Sequence, residues 1–321
     1  MALASFIVLL CGFFLYESAP VNTIQNPKTS VFEIQPGDGF RKISDGLYRA
    51  GFIRSPFVFD VALLLSGRVA QLQPGTYQLN SVMSLFTIAE TLTNSENIEV
   101  SVTIPEGINI YEIDKILSDS SIIHRNDLIN YHDKGSLEGR LFPDTYHFFR
   151  NTNAEIVVQK FLDNWNVKAR PLLGFNEGSC SSETTCGKII TLASILEKEV
   201  PTQEDREIVA GIIKKRIAVG MYLGLDATIC YAKYIAASSS MGGCYPLTPL
   251  DFKIKSLYNT YLHKGLSPTP IGNPGVSAII AAQNPKNSSY WYYLSDPKTK
   301  KTIFAKTLEE QSRNRQIYLG K

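Results

Sequence analysis

The chain has 321 residues, of which 44% are hydrophobic and 19% charged, an ordinary globular composition with room for two or three domains. The formal net charge is only +2, whereas a protein that binds nucleic acid usually carries a basic excess on one face. We therefore predict no nucleic-acid partner, and we expect any polymeric substrate to be held mainly by contacts other than charge.

The N-terminal segment 1–19 has the composition of a membrane anchor or a signal-like sequence. Residues 3–16 contain no charged side chain and are mostly Leu, Ile, Val and Phe. This run is short for a spanning helix, which needs roughly 20 apolar residues, and no Lys or Arg precedes it to indicate orientation. The small-residue motif at 18–20 ends in proline and is a poor cleavage site. We favour a single-pass anchor over a cleaved signal peptide, followed by a polar linker at 20–30.

A pattern of apolar residues and glycine in the first third of the chain recurs further along. Ile34 and Gly37 correspond in register to Ile104 and Gly107. In each copy a β-branched run meets a Pro/Gly turn and then a helical pattern, so two strand-turn-helix units are predicted. The first copy, in segment 31–98, resembles the opening of LysM modules, which bind N-acetylhexosamine polymers. The alternative is a generic unit that binds nothing.

Alternating and helical patterns predict the remaining elements. A proline- and glycine-rich run at 265–275 is predicted to be a rigid irregular loop. The predicted fold class is α+β, with small LysM-like strand-helix units followed by a mixed catalytic domain of helices packed on an antiparallel sheet. The individual predictions are a strand at 72–79, a helix at 85–92, a helix at 155–165, a helix beginning at Thr202, a hairpin with strands at 290–294 and 302–305, and a closing helix.

The segment 189–199, IITLASILEKE, carries two acids of chemical interest. On a helical projection Glu197 falls inside the apolar face, and Glu199 lies nearer its other border. Burial of a carboxyl group on such a face raises its pKa, which general-acid catalysis near neutral pH requires. Pro201 ends the helix just after the acids. The alternative is that both are solvated flank residues, one of them paired with Lys198.

Four motifs follow one another from residue 142 onward. They are FPDTY at 142–146, LASILEKE at 192–199, GMYLGLDATICYA at 220–232 and LYNTYLHKGLSPTPIGNPG at 257–275. In sequence and in order they resemble the catalytic region of the YceG-like family of endolytic murein transglycosylases, often called MltG. The resemblance covers most of the chain after about residue 31, and it weakens toward the N-terminus. We therefore assign residues 99–321 to a catalytic domain of this kind.

This resemblance implies cleavage of the β-1,4 bond between N-acetylmuramic acid and N-acetylglucosamine in nascent glycan strands. No water takes part, and the product is a 1,6-anhydro end that terminates strand elongation. Glu197 would act as the general acid and then as the base, with Glu199 as the rival acid. No cofactor and no metal is required. The residues expected to contact the substrate are Asp226, Tyr258, Asn259, Tyr261 and Asn273.

The resemblance also implies partners and a location. Peptidoglycan glycan strands would be the substrate, and peptidoglycan synthases are candidate partners. The protein would be held in the cell inner membrane by its N-terminal segment, with the catalytic domain in the periplasm. In relatives, the C-terminal hairpin usually carries a histidine before the phenylalanine and another in the last helix. Here those places hold Thr302 or Ile303, and Gln311, so activity could be lower or differently tuned.

Two other functions stay open. A lysozyme-type hydrolase would use Glu197 with Asp226 and a water molecule, and it would leave reducing ends. A noncatalytic cell-wall-binding or scaffold protein would bind glycan without cleaving it, also after a Glu197→Gln change. The joint presence of Glu197, the YNTY segment and the Pro/Gly loop favours the transglycosylase over both.

Four of the five cysteines lie outside the N-terminal segment, at positions 180, 186, 230 and 244. Among three connectivities, spacing favours pairing Cys180 with Cys186 and Cys230 with Cys244. Such bonds persist in an oxidising compartment such as the periplasm. The alternatives are four free thiols or a metal site. Because no C-x-x-C motif occurs and the four histidines are scattered, we predict no zinc site.

Overall fold

The computed structural model describes a limited set of ranges: 2–21, 29–94, 99–131, 137–174, 180, 184–237 and 244–320. Within these ranges the fold is α+β, with eleven α-helices and three two-stranded sheets. The chain folds into two compact units, each with its own hydrophobic core.

The first unit comprises Met1–Ser101 and His147–Arg150. Its complete elements are α1 (Ala2–Ser18), β1 (Thr29–Ile34), α2 (Phe40–Arg49), α3 (Pro56–Leu65), β2 (Gly75–Asn80) and α4 (Leu85–Thr93). Strands β1 and β2 pair antiparallel, and the core includes the fully buried side chains of Leu47, Phe59 and Tyr77. In the part of the chain that the structure describes, no helix is both long and apolar enough to cross a membrane.

The recurring sequence pattern corresponds to a recurring local structure. In the first copy β1 leads through a turn into α2; in the second, β3 (Glu99–Thr103) leads into α5 (Ile110–Asp119). The turn glycines Gly37 and Gly107 have φ values of +89° and +80°, a left-handed conformation that glycine adopts without steric cost. The likeness to LysM modules stays a prediction.

The second unit comprises Val102–Tyr146 and Asn151–Lys321. Strand β4 (Thr145–Phe149) pairs with β3, and near the C-terminus β5 (Tyr292–Ser295) pairs antiparallel with β6 (Thr302–Ala305). The further elements are α6 (Ala154–Lys168), α7 (Thr185–Glu199), α8 (Gln203–Ala218), α9 (Asp226–Ala237), α10 (Val276–Gln283) and α11 (Leu308–Leu319).

The core of the second unit is built around helix α7. Residues 190–196 of this helix are all buried, so α7 is enclosed around its circumference and not only along one face. Helices α8 and α10 pack against it and against each other. At Gly211 of α8 a Cβ atom would lie 1.9 Å from the carbonyl oxygen of Lys286, so only glycine fits there. The helices of this unit therefore pack mainly on one another, and the two-stranded antiparallel sheet near the C-terminus adds Tyr293 and Phe304 to the edge of the same core.

Two disulfides link segments of the second unit. Cys180 bonds Cys186 with their Cα atoms 5.0 Å apart, and Cys230 bonds Cys244 with a Cα separation of 5.4 Å. This is the connectivity that the spacing favours. The first bond ties the start of α7 to the preceding segment, and the second ties α9 to the loop that follows it.

Candidate active site

The last turn of α7 carries both candidate acids. Thr184 caps the start of the helix by accepting a hydrogen bond from the Gly187 amide, and the chain leaves helical conformation at Val200. Because Glu197 and Glu199 are two residues apart, their side chains leave the helix axis about 200° apart. One helix end therefore supplies carboxyl groups to two different sites.

Glu197 is enclosed by the protein. Its side chain is 5% exposed; one carboxylate oxygen accepts from Arg206 Nη2, and the other accepts from the Gly275 amide at 2.9 Å. A Cβ atom on Gly107 would lie 3.1 Å from Glu197 Cγ, so this carboxyl group is covered closely by backbone. Burial raises the pKa of Glu197, while the Gly275 amide and the Arg206 charge oppose the rise. Each of its oxygens thus accepts one hydrogen bond from the protein.

Arg206 connects this carboxylate to three helices. Its Nε donates to the Val200 carbonyl oxygen at 3.0 Å, and its Nη1 donates to Ser277 Oγ at 2.9 Å. It thereby joins the end of α7, the start of α8 and the start of α10. We call Glu197, Arg206, Gly275 and Ser277 the Arg206 clamp. Removing one partner of a buried ion pair is strongly destabilising, so we expect these contacts to hold the three helix segments together.

Glu199 lies in a cleft of about 580 Å³, which we call the Glu199 cleft. Its volume is in the range of small-ligand sites. Asp226 from the start of α9, Tyr261 from the loop after it and Tyr293 from β5 line the same cleft. Three further tyrosines complete the aromatic part of the wall: Tyr222, Tyr245 and Tyr292. Glu197 is absent from the walls of this cleft as far as the described residues define it.

The electrostatics of Glu199 suit proton transfer. Burial raises its pKa to about 7, and the Asp226 carboxylate adds to the rise. The Tyr293 hydroxyl donates to Glu199 Oε2 at 2.9 Å, and this hydrogen bond and the Arg216 charge favour the ionised form. A carboxyl group with a pKa near 7 populates both protonation states at neutral pH, so it can donate a proton and then accept one.

Asp226 and Tyr261 form a second pair in the cleft. The Tyr261 hydroxyl donates to Asp226 Oδ1 at 2.6 Å, and the ring packs edge-on against Phe252 with centroids 5.0 Å apart. Asp226 is the first residue of α9, a position that favours an acidic side chain because helix N-termini carry partial positive charge. Both side chains are exposed. The structure thus brings two predicted substrate contacts together beside Glu199.

The two acids in the Glu199 cleft have tyrosine hydroxyls as hydrogen-bond donors. Within the described ranges, no three His, Cys, Asp or Glu side chains converge to form a metal-ion site. Glu199 and Asp226 each accept a hydrogen bond from a tyrosine hydroxyl instead. Proton transfer between these side chains and a bound substrate is the chemistry that this arrangement can perform.

Arg216 is a site residue that the sequence reasoning missed. Its Nη1 donates to the Leu223 carbonyl oxygen at 2.9 Å, and its Nε and Nη2 donate to the Trp291 carbonyl oxygen at 2.9 and 2.6 Å. It thereby fixes two walls of the cleft while its charge acts on Glu199. The sequence feature that could have pointed to Arg216 is its position. It follows Ile213 by one helical turn, and so places a charge on the core face of α8.

Tyr258 and Asn259 support a loop and lie outside the Glu199 cleft as it is described. The Tyr258 hydroxyl shares a hydrogen bond with Thr269 Oγ1 at 2.6 Å. Asn259 is fully buried, and its Nδ2 donates to the carbonyl oxygens of Phe252 and Ile254 at 3.1 and 2.9 Å. These contacts hold the segment that carries Tyr261 to the Glu199 cleft.

Asn273 is also fully buried, and its amide group is saturated by protein partners. Its Nδ2 donates to Ile108 O at 3.1 Å and to Glu138 Oε1 at 2.9 Å. Its Oδ1 accepts from the amides of Gly139 and Leu141 at 2.9 and 2.8 Å. An asparagine amide has two donor and two acceptor positions, so none remains for a sugar. Asn273 ties the Pro/Gly loop to the segment before the FPDTY motif.

Glu138 is a second residue that the sequence reasoning missed. It is 5% exposed, and it accepts hydrogen bonds from the Ile110 amide at 3.1 Å and the Tyr231 hydroxyl at 2.9 Å, besides the Asn273 bond. Burial raises the pKa of Glu138 to about 7, although the Ile110 amide and the Tyr231 hydroxyl oppose the rise. The sequence offers little signal, because Glu138 stands in a turn without periodic pattern.

Comparison with known proteins agrees with these motifs. The sequence profile of the YceG-like family matches residues 32–317. The chain belongs to the YceG-like family. Its relatives include the endolytic murein transglycosylase of Bacillus subtilis, 27% identical in an alignment of 342 positions that covers 98% of this chain and 92% of the relative.

Two further members extend the comparison. The endolytic murein transglycosylase of Streptococcus pneumoniae is 25% identical in an alignment of 360 positions that covers 97% of this chain and 64% of the relative. A crystal structure of a YceG-like protein from Listeria monocytogenes is 28% identical, with a TM-score of 0.53 over 90% of this chain and 100% of that chain. The family resemblance therefore extends to the fold.

The C-terminal positions at which we expected family histidines make hydrogen bonds of their own. Thr302 Oγ1 donates to Asp205 Oδ2 at 2.8 Å. Gln311 Nε2 donates to the Tyr293 carbonyl oxygen at 3.0 Å, and Gln311 lines the Glu199 cleft. The effect of these replacements on turnover stays a prediction.

Proposed function

We propose that this YceG-like protein is an endolytic murein transglycosylase whose general acid is Glu199. The names of its relatives in Bacillus subtilis and Streptococcus pneumoniae support the activity. The observation that carries the choice of acid is that Glu199 lines the cleft with a pKa of about 7. Glu197, which the sequence ranked first, has both oxygens engaged in the Arg206 clamp. The geometry thus favours the rival acid.

The proposed reaction cleaves the β-1,4 bond between N-acetylmuramic acid and N-acetylglucosamine. Protonated Glu199 donates its proton to the glycosidic oxygen while the bond to C1 breaks, and positive charge develops at C1. The resulting carboxylate then takes the proton from the C6 hydroxyl as O6 bonds to C1. No water is consumed, Glu199 ends protonated as it began, and the product has a 1,6-anhydro end.

The neighbours of Glu199 have distinct roles in this scheme. The Tyr293 hydroxyl stabilises the carboxylate that exists between the two proton transfers. The Asp226 carboxylate keeps the pKa of Glu199 high enough for the first transfer, and its negative charge stabilises the developing positive charge at C1. Tyr261 holds Asp226 in place through its 2.6 Å hydrogen bond. Arg206 and Glu197 position the helix end that carries the acid.

A lysozyme-type hydrolase is the second candidate, because two carboxyl groups, Glu199 and Asp226, line one cleft. In that case the second carboxylate would activate water or form a covalent intermediate. The products would then be reducing ends, one water heavier than anhydro ends. The mass of the products therefore separates the two reactions.

The deciding experiment is mass spectrometry of products from purified glycan strands treated with the full-length protein. Anhydro-ended products from the wild type, and their loss in Glu199→Gln, would support the proposal. Products with reducing ends would show that the protein is a hydrolase. Intact strands in the presence of correctly folded wild-type protein would favour a noncatalytic glycan-binding protein.

The proposed cellular setting is the cell envelope, where murein lies. The two disulfides of the second unit support an oxidising compartment. The inner-membrane anchor at 1–19, the periplasmic side of the catalytic unit, the ending of nascent strands and an association with peptidoglycan synthases all belong to this proposal.

A further inference from the structure

A second cavity lies in the same unit, beside the N-terminal half of α7. Its volume is about 770 Å³. Leu173, Ile189, Leu192, Leu266 and Ala282 give it an apolar wall, to which α7, α10 and the segment before α7 all contribute. Three of these, Leu173, Leu192 and Ala282, belong to the buried core and are at most 5% exposed. An apolar wall in a cavity of this size is typical of a ligand site.

The charged residues in this cavity all have one sign. Lys188 of α7 and Lys214 of α8 line it, whereas no Asp or Glu belongs to its described lining. Both lysines are exposed. Within the part of the chain that the structure describes, neither side chain forms an ion pair with an acid. The cavity therefore combines an apolar interior with two cations whose charge is not neutralised.

We propose that this cavity binds a single-chain anionic amphiphile, with its hydrocarbon chain against the apolar wall and its phosphate headgroup at Lys188 and Lys214. The apolar wall favours the chain because burial removes hydrocarbon from water. The two ammonium groups favour a phosphate over a neutral or cationic headgroup. The site is separate from the Glu199 cleft, although α7 contributes to both. The inference thus goes beyond the proposed function and does not rest on it.

The first test is calorimetric titration of the full-length protein with dodecyl phosphate, kept below its micelle concentration. Dodecanol, inorganic phosphate and dodecyltrimethylammonium serve as probes that lack the charge, lack the chain or reverse the charge. We expect saturable binding of dodecyl phosphate and much weaker binding of the other three. Octyl phosphate, which lacks four methylenes, should bind more weakly by a factor of about 250, because each buried methylene contributes about fourfold in affinity.

Variants locate the site. The double change Lys188→Gln with Lys214→Gln should weaken dodecyl phosphate binding about tenfold, as expected for two partly exposed ion pairs. The matched control, Lys298→Gln with Lys306→Gln, removes two exposed lysines from outside the cavity and should leave binding unchanged. Ile217→Glu places a carboxylate among the cavity residues and should also weaken binding.

Three results would overturn the inference. One is the absence of saturable dodecyl phosphate binding, and another is equal binding of dodecyl phosphate and dodecyltrimethylammonium. The third is equal binding by the Lys188/Lys214 variant and its control. Glu199→Gln separates the two sites, because it should abolish glycan cleavage without changing dodecyl phosphate affinity. A loss of amphiphile binding in Glu199→Gln would instead assign that binding to the Glu199 cleft and count against this cavity.

Discussion

Two regions of the second unit receive acids from the same helix turn and treat them differently. In the Arg206 clamp, Glu197 meets a guanidinium and a backbone amide, and each of its oxygens accepts one hydrogen bond. In the Glu199 cleft, Glu199 accepts a hydrogen bond from Tyr293, and burial together with the Asp226 charge raises its pKa to about 7. Burial raises the pKa in both places, so burial alone does not distinguish an acid catalyst from a structural ion pair.

The difference lies in what else each carboxyl group contacts. A guanidinium bonds directly to Glu197 and holds its charged form in a fixed pair, whereas the direct donor to Glu199 is a neutral tyrosine hydroxyl, and Arg216 acts on Glu199 only through its charge. The clamp residues tie α7 to α8 and α10, and the cleft residues leave room for a ligand of several hundred Å³. Environment, and not residue type, therefore supports the proposed roles, as in other sites with two carboxyl groups.

The largest expected effect is on catalysis. Replacing Glu199 by glutamine removes the transferable proton, so the cleavage rate should fall by about 100- to 10,000-fold. The rate of product formation from glycan strands is the measurement. Glu204→Gln is the matched control, because it changes an exposed acid at the start of α8, and its rate should equal that of the wild type. A Glu199→Gln variant that cleaves glycan at the wild-type rate would rule out Glu199 as the general acid.

The second effect is on stability. Glu197→Gln leaves the Arg206 guanidinium buried without its anion, which should lower the free energy of unfolding by about 4 kcal/mol. Chemical denaturation followed by circular dichroism at pH 7 measures this. Glu309→Gln breaks an exposed ion pair with Arg313 and should cost less than about 1 kcal/mol. Equal losses in the two variants would show that the Arg206 clamp does not stabilise the fold.

A smaller effect is the pH dependence of stability. The pKa of Glu199 is about 7 in the folded protein and 4.5 in its reference state, so its proton adds stability that is complete below pH 4.5 and lost by about pH 7. The Glu199→Gln variant lacks this titratable group, so its stability does not show this loss. Relative to the wild type, its free energy of unfolding should therefore rise between pH 4 and pH 8, by up to about 3 kcal/mol. Parallel stability curves for the two proteins would contradict the raised pKa.

The sequence predicts the elements of the catalytic half better than it predicts their roles. The closing hairpin, the helix after Thr202 and the irregular Pro/Gly loop all appear in the structure, because local patterns and prolines determine them. The fold class α+β is confirmed, and the small antiparallel sheet β5–β6 packs Tyr293 and Phe304 against the helical core. A helix buried on all sides gives little amphipathic signal, so its neighbours cannot be inferred from its own sequence.

At the candidate site, too, the sequence does not reveal which residues from other elements lie close by. A helical projection reports that Glu197 falls on an apolar face, but it cannot report that Arg206 from the next helix meets it there. The pairs around Glu199 likewise come from distant segments: Tyr293 is 94 residues away in sequence, and Tyr261 lies 35 residues from Asp226. Contacts of this range depend on the tertiary fold. The sequence therefore narrows the choice of general acid to Glu197 and Glu199, and the contacts in the cleft favour Glu199.

The most direct test of the account is the pH dependence of kcat/KM for glycan cleavage in two variants that act on Glu199 in opposite directions. The wild type should lose activity as pH rises through about 7, because the acid is then ionised. Tyr293→Phe removes a hydrogen bond that favours the carboxylate, so the alkaline limb should move to higher pH. Asp226→Asn removes a charge that favours the protonated form, so the limb should move to lower pH. Opposite shifts are the predicted result. An alkaline limb that stays in place in both variants would contradict the assignment of Glu199 as the acid.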